Sequence, residues 1–240
     1  NMGDTDSYNQ GRIKYDNSDS SLTFRTVGTD RLRIDSSGRL LVGTTTEGHE
    51  NADNLTLEDS AAAGITLRSA SNNSGGIFFS DGTSGAAEYA GILQYDHPSN
   101  YMRIYTNGSE KLRIDSSGHL LLGTTTLGES GADDLTIENT SADMGITLRT
   151  GTARNASLFF ADGTSSSAQY SGYIQYAHNG DYMVLGTNGT EALRILSTGA
   201  FGIGESSPLY KLHVKGGSVD QTASFDNSKT TDGQINYIGV

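Results

Sequence analysis

One stretch recurs along this chain and limits what the chain can become. Lys111-Leu-Arg-Ile-Asp-Ser-Ser-Gly-His-Leu-Leu-Leu-Gly-Thr-Thr-Thr126 has an earlier counterpart, Arg31-Leu-Arg-Ile-Asp-Ser-Ser-Gly-Arg-Leu-Leu-Val-Gly-Thr-Thr-Thr46, and a more divergent later one, Ala192-Leu-Arg-Ile-Leu-Ser-Thr-Gly-Ala-Phe-Gly-Ile-Gly204. Leu32, Leu112 and Leu193 stand 80 and 81 residues apart. In each copy apolar and polar residues alternate, the period of a half-buried strand. Asp115-Ser-Ser-Gly118 between the alternating halves is turn chemistry, because Asp and Ser side chains bond nearby backbone and Gly accepts positive φ. Other segments share the period. Gly64-Ile-Thr-Leu-Arg68 returns as Gly145-Ile-Thr-Leu-Arg149, and Ile77-Phe-Phe-Ser-Asp-Gly-Thr83 as Leu158-Phe-Phe-Ala-Asp-Gly-Thr164. Gly91-Ile-Leu-Gln-Tyr95 has relatives in Gly11-Arg-Ile-Lys-Tyr15 and Gly172-Tyr-Ile-Gln-Tyr176. A regular period of this length marks an array of one supersecondary unit.

The expected fold is therefore all-β: an elongated array of ~80-residue antiparallel repeats. Residues 1–43 read as the second half of a repeat, 44–123 and 124–204 as full repeats, and 205–240 as the first half of another. Strands are expected at Lys211-Leu-His-Val214 and Ile235-Asn-Tyr237, and the chain reads as an excerpt of a longer array. Asn107-Gly108 and Asn188-Gly189 are two-residue hairpin signals. No stretch has a helical period, and Ala61-Ala-Ala63 ends at Gly64. Aligning the copies sorts the faces. Ile13/Leu93/Ile174, Phe24/Ile104/Leu185 and Val42/Leu122/Ile203 keep their size and apolarity, so they are expected to point inward. Arg12/Ile92/Tyr173, Lys14/Gln94/Gln175 and Arg25/Tyr105/Gly186 drift, so they are expected to face solvent.

Composition sharpens this. The chain has 34 % hydrophobic residues, 31 Gly, 2 Pro and no Trp among 240 residues. Short, Gly-punctuated strands with so few large side chains fill a single-chain core poorly, and open strand edges invite association. Three copies wrapped about one axis would cover both faces and edges. With no Cys there are no disulfides or thiolate metal sites. A net charge of −12 disfavours nucleic acid as a partner. No run approaches the ~18 apolar residues of a membrane-spanning helix, and the start does not resemble a signal peptide.

Candidate chemistry is weighed residue by residue. Asp81 and Asp162 recur in Phe-Phe-x-Asp-Gly-Thr, and Glu88 could complete an acid/base pair of the glycosidase kind. The second copy has Gln169 near that place, so a turn role for the aspartates is the better expectation. Arg33, Arg113 and Arg194 could hold an anion, but pairing with Asp30, Glu110 and Glu191 three residues back is simpler. Of the five histidines, His49, His97, His119, His178 and His213, no two have strand-ligand spacing, and His119 is expected to be solvated. One histidine gathered three times at a trimer axis would be the route to an axial ion. Gly202-Ile-Gly204 lacks the third Gly and the following helix of a phosphate loop. Asp16-Asn-Ser-Asp-Ser20 lacks the distal Glu of a calcium loop. Sequons such as Asn107-Gly-Ser109 are expected by chance in so Asn-, Ser- and Thr-rich a chain. Tyr89, Tyr105 and Tyr173 could stack against sugars or cover strand edges. The residues yield no catalytic, cofactor-binding or metal site, and the chain is expected not to be an enzyme and to need no cofactor.

Leu-Arg-Ile-Asp-Ser-Ser-Gly, followed by an apolar strand and Gly-Thr-Thr, resembles the stalk repeats of bacteriophage tail fibres and tailspikes, especially of marine and cyanobacterial phages. Ser197-Thr-Gly-Ala-Phe-Gly-Ile-Gly-Glu-Ser-Ser-Pro-Leu-Tyr-Lys-Leu-His-Val214 is similar to the run often found upstream of an endosialidase-type intramolecular chaperone domain. Glu205 departs from the Thr usual there. The resemblance covers nearly the whole chain and implies a homotrimeric, intertwined β shaft on the virion surface. That virion structural protein would present a host-recognition tip and have its own copies and other virion proteins as partners. It carries over no catalytic residue. Two alternatives stand beside it: a module that adheres to host surface glycans through loops such as Asp96–Tyr101 and Ala177–Tyr182, and the non-catalytic stalk of a polysaccharide-degrading tailspike. A bacterial surface adhesin is a further possibility within the structural class. Neither nucleic-acid binding nor membrane insertion is expected.

Overall fold

Local sequence sets the strands and their ends. Tyr101–Thr106 holds β-branched or aromatic residues at four of six positions, a composition suited to a pleated surface. It is closed off by Asn100 and Asn107, whose φ values of 53° and 51° are ones Asn tolerates better than most side-chain-bearing residues. Asn107-Gly108 and Asn188-Gly189 each take φ of 51° and 68°, the paired positive angles of a type I′ hairpin turn. Val27-Gly28 takes nearly the same angles, 50° and 72°, with a β-branched residue in the place of the asparagine.

The computed structural model describes residues 2–4 and 7–216, so the expected strand at Ile235–Tyr237 lies outside the described residues. Three six-stranded sheets account for the strands described. The first contains β1 (Met2–Asp4), β2 (Ser7–Asp16), β3 (Ser21–Thr26), β4 (Thr29–Ile34), β5 (Leu40–Val42) and β6 (Leu55–Leu57). The second contains β7 (Ser74–Phe79), β8 (Gly91–Asp96), β9 (Tyr101–Thr106), β10 (Ser109–Ile114), β11 (Leu120–Leu122) and β12 (Leu135–Ile137). The third contains β13 (Asn155–Phe160), β14 (Gly172–Ala177), β15 (Tyr182–Thr187), β16 (Thr190–Ile195), β17 (Phe201–Ile203) and β18 (Leu212–Val214). The protein is all-β, and in every sheet spatial order follows chain order. The chain divides into two compact units after Ala142, the first holding two sheets and the second one.

Each sheet is antiparallel up to its fifth strand and ends in a three-residue parallel pair, Leu120↔Leu135 to Leu122↔Ile137 in the second. These pairs link the strands on either side of the expected boundaries at 43/44, 123/124 and 204/205, so a hydrogen-bonded sheet runs across each. The close approach explains the glycine of Gly-Thr-Thr. A Cβ on Gly43 would lie 2.0 Å from the Glu58 carbonyl oxygen, and one on Gly123 would lie 2.4 Å from that of Glu138. Short 3₁₀ helices at Gly85–Tyr89 and Ser166–Tyr170 precede β8 and β14, which the sequence periodicity does not announce.

Register confirms which residues share a face and corrects which face is covered. In the second sheet Ile77, Leu93, Ile104, Leu112, Leu122 and Ile137 form one continuous apolar rung across all six strands. The first sheet has Ile13–Phe24–Leu32–Val42–Leu57, and the third Leu158–Ile174–Leu185–Leu193–Ile203–Val214. This face was expected to point inward, yet much of it is exposed. On the second sheet Leu93 and Ile104 are 39 % exposed, Ile77 48 % and Phe79 63 %, while Leu112 and Ile137 are half-buried. The opposite face, expected outside, is the covered one: Leu41 and Leu121 are 1 % exposed, and Ser21, Thr23 and Val184 are also buried. The physical reason is that a two-residue period assigns residues to a face but supplies no second layer. Side chains of the polar face lie along it, as Arg113 does over the Tyr101 ring and Tyr173 over Gly186, while the apolar face stays largely open.

Candidate functional site

The polar face is a lattice of paired charges and stacked rings. Arg113 lies with its guanidinium carbon 4.1 Å from the centre of the Tyr101 ring and bonds Glu110 through Nε at 2.7 Å. Arg194 repeats this on Tyr182 at 4.1 Å and with Glu191 at 2.8 Å. Arg103 sits between Tyr101 and Tyr105 and donates to Gln94 at 2.7 Å. Two of the three expected local ion pairs therefore form. Arg33 instead reaches Asp19 at 2.9 Å, because Arg25 takes Asp30 at 2.7 Å. All these charges are matched within the chain, so the arginines are not poised for an external anion.

The hairpin turns add a local device. Asp115 accepts the backbone N–H groups of Ser117 and His119 at 2.9 and 3.0 Å, and its other oxygen lies 2.7 Å from His119 Nδ1. That hydrogen bond raises the His119 pKa above its usual 6.5 and helps hold the Asp115 carboxyl below its usual 3.8. His119 is thus a half-buried ion-pair partner and not a free solvated side chain. The corresponding Arg39 bonds Asp35 at 2.7 Å and Asp53 at 3.0 Å. In the third sheet Leu196 and Ala200 replace the pair, and Ala200 is buried.

The other candidates stay apart. Asp81 closes its loop by donating its N–H to the Ala87 carbonyl at 3.0 Å, and Asp162 accepts the Ser171 hydroxyl at 2.7 Å. Both serve loop closure. His97 and His178 each pack edge-on to a tyrosine two residues back, at 5.0 Å between ring centres, and His213 lies 6.0 Å from the Tyr210 ring. His49 Nδ1 accepts the Asn51 N–H at 3.2 Å. Among the described residues no three His, Asp or Glu side chains converge on a point where a metal could sit. In Asp16–Ser20 the Asp16 carboxylate is occupied by Lys14 and Ser18, and Asp19 by Ser21 and Arg33, so these oxygens do not gather. The loops Asp96–Tyr101 and Ala177–Tyr182 are tight turns of one design, each with a strand tyrosine donating its hydroxyl to a turn residue: Tyr95 to Asn100 at 3.2 Å and Tyr176 to Asp181 at 3.3 Å. Tyr105 and Tyr173 lie within the polar face on β9 and β14, where neither covers a strand edge. Tyr173, Phe159, Tyr170 and Gln175 border an open cleft of about 280 Å³.

The largest unsatisfied feature is therefore the apolar face. Alternation makes it recognisable in sequence; its exposure was not foreseen. A second missed element is the parallel strand, β6 or β12, whose signal is the recurrence of Asn54-Leu-Thr-Leu-Glu58 as Asp134-Leu-Thr-Ile-Glu138. No family model and no curated protein matches this sequence.

Proposed function

We propose that this segment is a structural shaft of a phage-type fibre, built from about 80-residue repeats, in which three copies of the chain cover one another's apolar faces. The observation that carries this is the exposed apolar ladder on each sheet. Its exposed side chains leave on the order of 500 Å² per sheet at ~170 Å² for a large side chain, at the upper end of what monomers ordinarily expose. Three such sheets exceed the ~800 Å² that each partner contributes to a standard stable interface. Satisfied ion pairs on the opposite face suit a surface that stays in water. The role is mechanical, with no catalytic step assigned, and the resemblance of Leu-Arg-Ile-Asp-Ser-Ser-Gly to phage stalk repeats supplies the virion-surface setting. Sedimentation with light scattering on the intact chain tests it. A particle of three chains is expected; a monomer at micromolar concentration overturns it.

A second reading, adhesion to host glycans, has one observation in its favour: the aromatic cleft of Phe159, Tyr170 and Tyr173 beside the Gln175 amide. Rings that can stack on a sugar next to an amide that can bond its hydroxyls suit that ligand class. Tyr173→Ala would then abolish glycan-array binding while leaving the mass of the assembly unchanged.

A further inference from the structure

Nearly every alternating segment of this sequence finds a cross-strand partner in its own sheet, but one recurring pair does not. Gly64-Ile-Thr-Leu-Arg68 and Gly145-Ile-Thr-Leu-Arg149 have the alternation and β-branched content of strands. Among the described residues, neither makes a strand pairing or a backbone–backbone hydrogen bond. Ile65 is 64 % and Leu67 51 % exposed.

The position of the first segment explains why it stays single. A turn closed by the Asn73 N–H on the Ala70 carbonyl, 3.0 Å, leads from it into β7. A Cβ built on Gly75 would point at the Leu67 carbonyl oxygen, 3.7 Å away. A Cβ leaves a strand perpendicular to the sheet, so residue 67 lies above the apolar face and not beside the edge of β7. Ile65 and Leu67 there form one wall of an open groove of about 330 Å³ whose other wall includes Ile77, Leu93 and Met102. The chain has begun a second layer and supplied one strand of it.

The outer edge of β7 is the matching deficiency. Among the described residues β7 pairs only with β8, and β13 only with β14. Ser74–Phe79 and Asn155–Phe160 contain no proline and no charge, the usual devices that keep an edge from pairing. At six residues each edge can run alongside the whole five-residue segment and bond its alternate residues, whereas the far edges, β12 and β18, are three residues long.

We infer that residues 64–68 and 145–149 are strand donors between copies of this chain. Each adds to the outer edge of β7 or β13 of a second copy and brings its Ile and Leu onto that copy's apolar face. The occupant is a second copy because, among the described residues, the two donors are matched by two acceptor edges, so head-to-tail pairing around a closed ring leaves none of these over. The apolar area already counted is what such a contact would bury. The inference rests on the self-association proposed above and adds where the copies hydrogen-bond.

Two single-cysteine variants of this cysteine-free chain, Thr66→Cys with one affinity tag and Phe78→Cys with another, are co-expressed in the intact chain and oxidised. A disulfide linking the two tags is expected. In parallel, hydrogen exchange on the unmodified assembly should show alternate amides within residues 64–68 and 145–149 slowed at least ~100-fold relative to free peptide. If sedimentation gives three chains but these amides exchange freely, or a chain carrying both cysteines cross-links only within itself, strand donation is overturned and the shaft reading stands. If the chain sediments as a monomer, both fail.

Discussion

The two faces of each sheet reverse the usual relation between polarity and burial. The face carrying Arg103, Arg113, Gln94 and Glu110 also holds Leu121, 1 % exposed, whereas the face carrying Ile77, Leu93 and Ile104 is open. On the first, Arg103 and Arg113 are matched at 2.7 Å by Gln94 and Glu110 of the same sheet, and few polar atoms, such as Arg12 Nε and Arg33 Nε, lack a partner. The second has the hydrophobic content of a core and lacks the other half. The contrast separates two sources of order: one face is paired within the chain, and the other, on the self-association proposed above, would stabilise an assembly.

Substitutions that strike one face and spare the other break or sharpen that contrast. The largest effect is expected from a charge in the open ladder. Ile104→Asp or Leu185→Asp should weaken association at least ~100-fold, about 2.7 kcal/mol, while shifting the unfolding free energy of the dissociated chain by no more than about 0.5 kcal/mol. Sedimentation and urea titration of the same variant read the two quantities. Next comes the covered face. Leu121→Ala should cost about 2–5 kcal/mol in urea unfolding at any chain concentration; a cost that vanishes on dilution would erase the distinction. Smaller is Val27→Asn. Val27 holds a left-handed φ of 50° where the equivalent turns have Asn, so the change should raise the unfolding free energy by about 1 kcal/mol.

The smallest effect concerns pH at the turn of residues 115–119. Because the folded pKa of His119 lies above 6.5, its contribution is present below pH 6.5 and is lost as pH rises through the folded value. Asp115 acts in the opposite sense: its contribution is present above pH 3.8 and is lost as pH falls through its depressed value. An NMR titration should place the His119 midpoint above 6.5. His119→Arg, which copies Arg39, should remove the alkaline loss.

Much of the fold is legible in the sequence because hairpins are local. Asn107-Gly108 and the alternation on either side of it fix β9, β10 and their register without reference to anything distant. What was not legible depends on distance. β6 and β12 are too short to show a period, and their parallel pairing requires a crossover. Leu121 and Leu41 are buried on the face that carries Arg113 and Arg33, which a division into apolar and polar residues assigns to solvent. His119 looked free because its partner, Asp115, already had a role as a turn residue. The apolar ladder could be read residue by residue, but its exposure could not, because alternation names a face and not what lies against it.

Strand order that follows chain order also governs time. Every antiparallel pair joins neighbours in sequence, so each sheet can zip through short loop closures, the fast regime for β structure. A sheet needs only its own sixty or so residues to have emerged and can form while the rest of the chain is being synthesised. On the self-association proposed above, meeting the other copies would be a slower, concentration-dependent event. Between the two, each chain would display finished sheets with uncovered apolar faces, the species most exposed to off-pathway aggregation. The interval before assembly, more than folding itself, is where such a chain would need protection.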